Sequence, residues 1–238
     1  MTFFNEVNNM KIIVFIILIF TITFSLNSVA EIAPTNSELE KWFNSDDELS
    51  TEHVNEGELN FLEKTPEIPN FHSINRLSIS QESLITGWVL LEQCYENLDP
   101  VPVTDIEYQY KSIRNLRITT QQNIEAATVD NKTIHLDTVN KNAKLCIKAE
   151  VKILKKMNNT HFSLTNGPFH RQFLDGYYPY HLSLQINYPS SILQLASTSP
   201  RNQKGFIVKK EVDMLYIESH FEGKLIIHFM FNKIIANS

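Results

Sequence analysis

The segment from Asn166 to His181 holds the densest collection of side chains that could do chemistry. It interrupts the regular alternation of its neighbours and combines glycine, proline and tyrosine with charged and imidazole groups. Residues that break a local pattern without a packing reason are where function is expected. We therefore predict that any ligand-binding surface lies here, with the candidate residues His170, Arg171, Asp175, Tyr177, Tyr178 and His181.

Three kinds of role fit this segment. His170, Asp175 and His181 could bind a metal ion if they converge, although spacings of five and six residues match no known ligand pattern. Tyr177 and Tyr178, with Tyr180 close by, could form an aromatic platform for a sugar or a peptide. The simplest alternative is a structural crossover, in which Gly and Pro shape a bend. The four-residue spacing of Arg171 and Asp175 predicts an ion pair if a helical turn forms here.

A second group of ionisable residues surrounds the turn at Glu222-Gly223. His220 and His228 flank it, with Glu218 nearby, and we interpret them as a solvated sheet edge, with a metal site as the alternative. The sequence contains no G-x-S-x-G, P-loop, H-E-x-x-H or G-x-G-x-x-G motif. A non-catalytic protein without a cofactor is therefore favoured over an enzyme.

Cys94 and Cys146 are the only two cysteines. In an exported protein the default expectation is one structural disulfide, because the compartment is oxidising. Unpaired thiols and a redox pair are the alternatives, but the C-x-x-C spacing of catalytic disulfides is missing.

The N-terminus predicts export. An apolar run from Ile12 to Phe24 follows Lys11 and precedes Ser28-Val29-Ala30, which is typical of a secretory signal peptide over residues 1–30, with Met10 as an alternative start. The mature chain would begin at Glu31 and reside in the periplasm or cell envelope. The alternative is an inner-membrane anchor over residues 12–26, although the strongly apolar stretch is shorter than the roughly 20 residues of a full span.

Charge is unevenly distributed. Residues 31–70 contain eleven acidic residues and two basic ones, within a chain of net charge -6 and pI near 5.8, which argues against nucleic-acid binding. We predict that this acidic leader is solvated, partly disordered and dispensable for folding, with its few apolar residues docked on the body. The alternative is a partner-binding arm lying on a basic face. That face consists of Lys144, Lys148, Lys152, Lys155 and Lys156, which could bind anionic lipid or polysaccharide or protect a sheet edge.

Beyond residue 70 the sequence predicts an all-β fold. Residues 144–153 and 181–188 alternate polar and apolar side chains, which places the apolar ones on one face of a strand. Only Gln121–Ala127 could form a helical turn. We expect an antiparallel β-sandwich, either one continuous sandwich or two Ig-like units over residues 71–157 and 168–238, joined by residues 158–167.

These patterns together predict an exported cell-envelope protein with a non-catalytic binding or assembly role. Its partner would be an envelope protein or a polysaccharide, and membrane contact would require retention of the N-terminal segment. The alternative is a hydrolase or metal-binding protein that uses the 166–181 segment.

Overall fold

The computed structural model describes residues 57–63, 71–174 and 176–234. The predicted signal peptide, the expected start at Glu31, most of the acidic leader and Asp175 lie outside the described residues. No helix among the described residues is long and apolar enough to cross a membrane.

Fifteen strands and one helical turn make up the described part of the chain. The turn is α1 (Ser83–Thr86). The strands are β1 (Asn60–Phe61), β2 (His72–Ser78), β3 (Trp88–Leu98), β4 (Val101–Glu107), β5 (Ile113–Asp130), β6 (Thr133–Lys152), β7 (Leu154–Lys156), β8 (His161–Phe169), β9 (Gln172–Phe173), β10 (Gly176–Tyr177), β11 (Tyr180–Asn187), β12 (Leu193–Ser199), β13 (Phe206–Lys210), β14 (Met214–Glu222) and β15 (Leu225–Lys233).

The strands form two main sheets. The large sheet has the order β1-β14-β11-β2-β3-β6-β4, with β13 beside β14 and β5 beside β6. Its β2–β11 pair is parallel, so strands from either side of residues 158–167 share this sheet. The second sheet has the order β12-β15-β8-β7, and β9 with β10 forms a small hairpin. Side chains of both main sheets contribute to one hydrophobic core, which confirms the predicted all-β sandwich class.

The predicted two-faced strands are confirmed. Leu182, Leu184 and Ile186 of β11 are fully buried, while the polar residues that alternate with them lie on the outer face of the sheet. Leu145, Ile147 and Val151 of β6 are buried in the same way. Because side chains alternate across a strand, the even-numbered residues of β2, of β3 from Trp88 to Glu96 and of β6 from Lys144 to Lys152 point to the outer face of the large sheet.

Two local predictions are wrong. Gln121–Ala127 is not a helical turn, because it lies within β5 and pairs along its length with β6. Asparagines with positive φ, Asn115 and Asn123, sit where the register of this long hairpin shifts, which is how a bulge bends a strand without breaking it. Conversely, no helical turn was predicted at Ser83–Thr86, yet these residues form α1, which ends at the left-handed Gly87.

The two cysteines lie directly opposite each other on β3 and β6, with Cα atoms 4.0 Å apart and their sulfur atoms at bonding distance. Cys146 is buried although it lies on the lysine-bearing side of its strand. The predicted pairing is therefore present, and a disulfide fits an oxidising compartment.

One part of the acidic leader docks on the sandwich. β1 pairs with the end of β14, and the ring of Phe61 packs against buried Phe206 with centroids 5.6 Å apart. The turn after β14 leaves room for this segment only because residue 223 is glycine: a Cβ there would lie 2.0 Å from the carbonyl oxygen of Glu58. The docking expected of the leader's apolar residues is therefore present at Phe61, whose partly buried ring packs against the core.

We expect Phe61→Ala to lower the free energy of unfolding by about 2 kcal/mol, less than a fully buried Phe→Ala change, because the ring is only partly buried. Chemical denaturation measures this difference. Leu59→Ala is the matched control in the same segment, since Leu59 is 39% exposed and should change stability little. Equal effects of the two changes would contradict a specific contribution of Phe61.

Candidate functional site

A cavity of about 630 Å³ is lined by residues 167–174, by the turn between β3 and β4, and by the segment that follows β4. We call it the tyrosine cleft, after the four tyrosines among the phenylalanine and tyrosine residues that line it: Phe71, Tyr95, Tyr108, Tyr110, Phe169, Phe173 and Tyr180. Gln109 and Leu174 border it and are exposed, so the cleft opens to solvent. Its volume lies within the range of small-molecule binding sites.

The phenol groups of the cleft are neutral hydrogen-bonding groups. Burial raises the pKa of Tyr95, Tyr108, Tyr110 and Tyr180 above the ordinary tyrosine value, so all four keep their protons at physiological pH. Tyr110 donates to Oδ1 of Asn166 at 2.7 Å, and the hydroxyls of Tyr95 and Tyr108 lie 3.5 Å apart. The buried part of the cleft therefore combines aromatic faces with uncharged phenols, while the exposed carboxylates of Asp105 and Glu107 also line it.

Arg171 fixes the wall of the cleft. Its Nε donates to Oδ2 of Asp99 at 2.7 Å, its Nη2 donates to the other carboxylate oxygen, and its Nη1 donates to the Pro179 carbonyl oxygen at 3.2 Å. The guanidinium also lies 5.3 Å from the ring centre of Tyr178 and 5.5 Å from that of Phe173. Because Arg171 and Asp99 neutralise each other, their pairing adds no net charge to the cleft.

His170 is the second predicted residue that lines the cleft. Its Nδ1 is buried, and no described residue hydrogen-bonds to it. Burial, with a smaller contribution from Lys224, lowers the pKa of His170, which favours the neutral imidazole. Its ring lies beside Tyr177, with centroids 5.8 Å apart.

The structure separates the other predicted site residues. Tyr177 and Tyr178 contact His170 and Arg171 but are not among the lining residues, so they support the wall of the cleft. The helical turn on which a pairing of Arg171 with Asp175 depended is absent from the described residues of this segment, and Asp175 itself lies outside them. Strands β9 and β10 of this segment form a hairpin. Arg171 forms its ion pair with Asp99, which lies in the turn between β3 and β4.

His181 lies on the other side of the large sheet. It follows Tyr180 on β11, and because neighbours on a strand point to opposite faces, Tyr180 lines the cleft while His181 faces outward. There His181 stacks between two other histidines on adjacent strands. The ring centroids are 3.7 Å from His72 on β2 and 4.0 Å from His220 on β14. We call His72, His181 and His220 the histidine row.

The histidine row shares its patch of the sheet with Glu218. Burial raises the pKa of this carboxyl, but hydrogen bonds from His181, Tyr216 and Ser183 outweigh it and lower the pKa to about 2. Burial and the neighbouring His181 lower the pKa of both His72 and His220. Among the described residues, His72, His181 and Glu218 are the single group of three ionisable side chains close enough to hold one metal ion. His170 is not part of it.

Several of these residues carried no sequence signal. Tyr95, Tyr108 and Tyr110 lie on or beside ordinary strands, and His72 begins a strand more than a hundred positions before His181. Only the pairing of β2 with β11 brings the two histidines together. His181, His220 and Glu218 were each singled out in the sequence, in two separate groups, whereas His72 was not.

Two lysines of the predicted basic face form ion pairs within the sheet. Lys144 pairs with Glu96 at 2.7 Å, and Lys148 pairs with Glu92 at 2.9 Å. Both glutamates belong to β3, so for these two lysines the acidic partners come from the neighbouring strand. A general anion-binding role for this face is correspondingly weakened.

Comparison with known proteins found no family model, no characterised protein and no solved structure that matches this chain.

Proposed function

We propose that this chain is an exported cell-envelope protein that binds a neutral, hydroxyl-rich ligand of the saccharide class in the tyrosine cleft, without catalysis. The observation that carries the proposal is the lining of the cleft: seven phenylalanine and tyrosine side chains, whose buried phenols are uncharged hydrogen-bonding groups. Aromatic faces pack against the C–H surfaces of sugar rings, while phenol and amide groups match hydroxyls.

The polarity of the cleft favours a saccharide over a charged ligand. Its buried phenols stay protonated, and its innermost arginine is satisfied by Asp99 and the Pro179 carbonyl. Gln93, another lining residue, donates from Nε2 to Oγ of Ser73 at 3.1 Å, which orients its amide. A peptide would be expected to add to a sheet edge instead, where backbone groups provide the contacts.

Export is supported by two independent features. The apolar run before Ser28-Val29-Ala30 has the form of a secretory signal, and the cysteine pair suits an oxidising compartment. A cell-envelope location would place the cleft among the polysaccharides of that compartment.

Blocking the cleft should abolish this binding. Thr104 lines the cleft from β4, and Thr104→Trp would fill it with a bulky ring. We expect the affinity for the best ligand from an array of neutral and N-acetylated oligosaccharides to fall by about tenfold or more, because the ring clashes with the ligand. Titration calorimetry measures the change.

Val103→Trp is the matched control. Val103 is the preceding residue on β4, is 67% exposed and is not among the lining residues. It should leave affinity unchanged. Saccharide binding in the cleft would be refuted if the two tryptophan variants had equal affinities. It would also be refuted if no oligosaccharide of the array bound more weakly to Thr104→Trp than to the unmodified chain.

A further inference from the structure

The histidine row and Glu218 form a compact set of metal-binding atoms on the outer face of the large sheet. One nitrogen each from His72 and His181 and one carboxylate oxygen of Glu218 all lie within 4.8 Å of one another. They come from three adjacent strands, β2, β11 and β14: His72 lies directly opposite His181, and Glu218 lies opposite Ser183, two positions along from His181 on the same face. Backbone hydrogen bonds of a central part of the sheet therefore hold the three ligands in place.

The geometry points to a binding site for one divalent transition-metal ion, of which Zn²⁺ is the representative, with His72, His181 and Glu218 as ligands. Two imidazoles and one carboxylate are a donor set that zinc accepts in proteins, at about 2.0–2.2 Å from each atom. Imidazole nitrogens favour zinc, copper and nickel over calcium and magnesium, which prefer an all-oxygen environment. This site is separate from the proposed saccharide cleft.

The carboxylate of Glu218 is oriented for this role. Its Oε1 faces Nε2 of His181, and the two are hydrogen-bonded. Its Oε2 accepts hydrogen bonds from Ser183 and from Tyr216, each at 2.7 Å. Two hydroxyls thus hold one oxygen while the other is directed at the imidazoles, which is the arrangement by which surrounding residues orient a metal ligand.

The two imidazoles are also directed toward the same point. Nε2 of His72 lies 2.8 Å from Oγ of Ser183, the same hydroxyl that donates to Glu218. Nε2 of both His72 and His181 therefore faces the Ser183–Glu218 pair. The side chains of His181 and Glu218 are 21% and 29% exposed, so an ion can enter from solvent.

His220 supplies a further nitrogen beside this set. Its ring stacks on His181, and its buried Nε2 has no hydrogen-bond partner among the described residues. Buried polar nitrogens are normally satisfied, so an unsatisfied one next to three potential ligands is informative. We assign His220 to a supporting position, in which it packs against His181 and contributes a fourth donor if its ring rotates.

Zinc titration of the purified full chain, without a polyhistidine tag, tests the site. Competition with a chromogenic chelator should show one Zn²⁺ bound per chain. His181→Gln should weaken the affinity by about 100-fold or more, and Glu218→Gln by at least about tenfold, in line with the cost of disturbing metal ligation. Co²⁺ should give visible absorption bands with the unmodified chain that His181→Gln abolishes.

His228→Ala is the matched control, because His228 is an exposed imidazole of β15 bonded to Thr165 and lies outside the group. It should bind zinc like the unmodified chain. Should a substituted chain fail to fold, imidazole nitrogen NMR on the unmodified chain provides a second measurement: Zn²⁺ should shift Nε2 of His72 and His181 but not the nitrogens of His228. Absence of stoichiometric binding, equal affinity of His181→Gln, or uniform shifts of all histidines would overturn the proposal.

Discussion

Reduction of the Cys94–Cys146 pair is expected to lower the free energy of unfolding by about 4 kcal/mol, because the bond closes a loop with a sequence separation of 52. The expected difference of about 4 kcal/mol follows from the chain-entropy model, in which the bond stabilises the fold by lowering the entropy of the unfolded chain. The loop contains β4, β5 and most of β6, so the bond joins the base of the long hairpin to β3. Urea denaturation with and without reductant measures the difference.

Cys94→Ala/Cys146→Ala provides the control for reduction. Both side chains point to the outer face of the large sheet, so the double change should mimic the reduced chain without leaving reactive thiols. Once the pair is replaced, reductant should have no further effect. An unchanged denaturation midpoint after complete reduction would contradict the expected stabilisation.

Arg171→Met should have the second large effect. The change retains an apolar stem but removes both hydrogen bonds to Asp99 and the bond to the Pro179 carbonyl. Removing one partner of a fully buried ion pair lowers the free energy of unfolding by roughly 3–5 kcal/mol. The side chains of Arg171 and Asp99 are 18% and 31% exposed, so we expect a smaller loss of about 2 kcal/mol. Saccharide binding should weaken as well, because residues 167–174 form a wall of the cleft.

Arg114→Met is the matched control for this change. Arg114 also pairs with a carboxylate, Glu150, and its guanidinium lies 4.2 Å from the centre of the Trp88 ring. Its side chain is 52% exposed, so losing the pair should cost less than about 1 kcal/mol. If the two arginine changes destabilise the chain equally, Arg171 does not fix the cleft in the way described.

The segment 166–181 illustrates how far local sequence could lead. Its break in alternation identified the wall of the cleft, including His170 and Arg171. It could not reveal that Arg171 would pair with Asp99, since that depends on a hairpin and on a turn about seventy positions away. Spacing along a chain predicts an ion pair only where the backbone is helical.

The sequence by itself determined the class of fold, the buried face of each regular strand and the pairing of the two cysteines. These properties depend on alternation within short segments and on a cysteine count of two, both of which are local or compositional. Tertiary structure alone decided the tyrosine cleft and the histidine row, because strand order and register set which faces meet. A shift of one residue between β2 and β11 would move His72 to the opposite face of the sheet from His181 and separate the ligands.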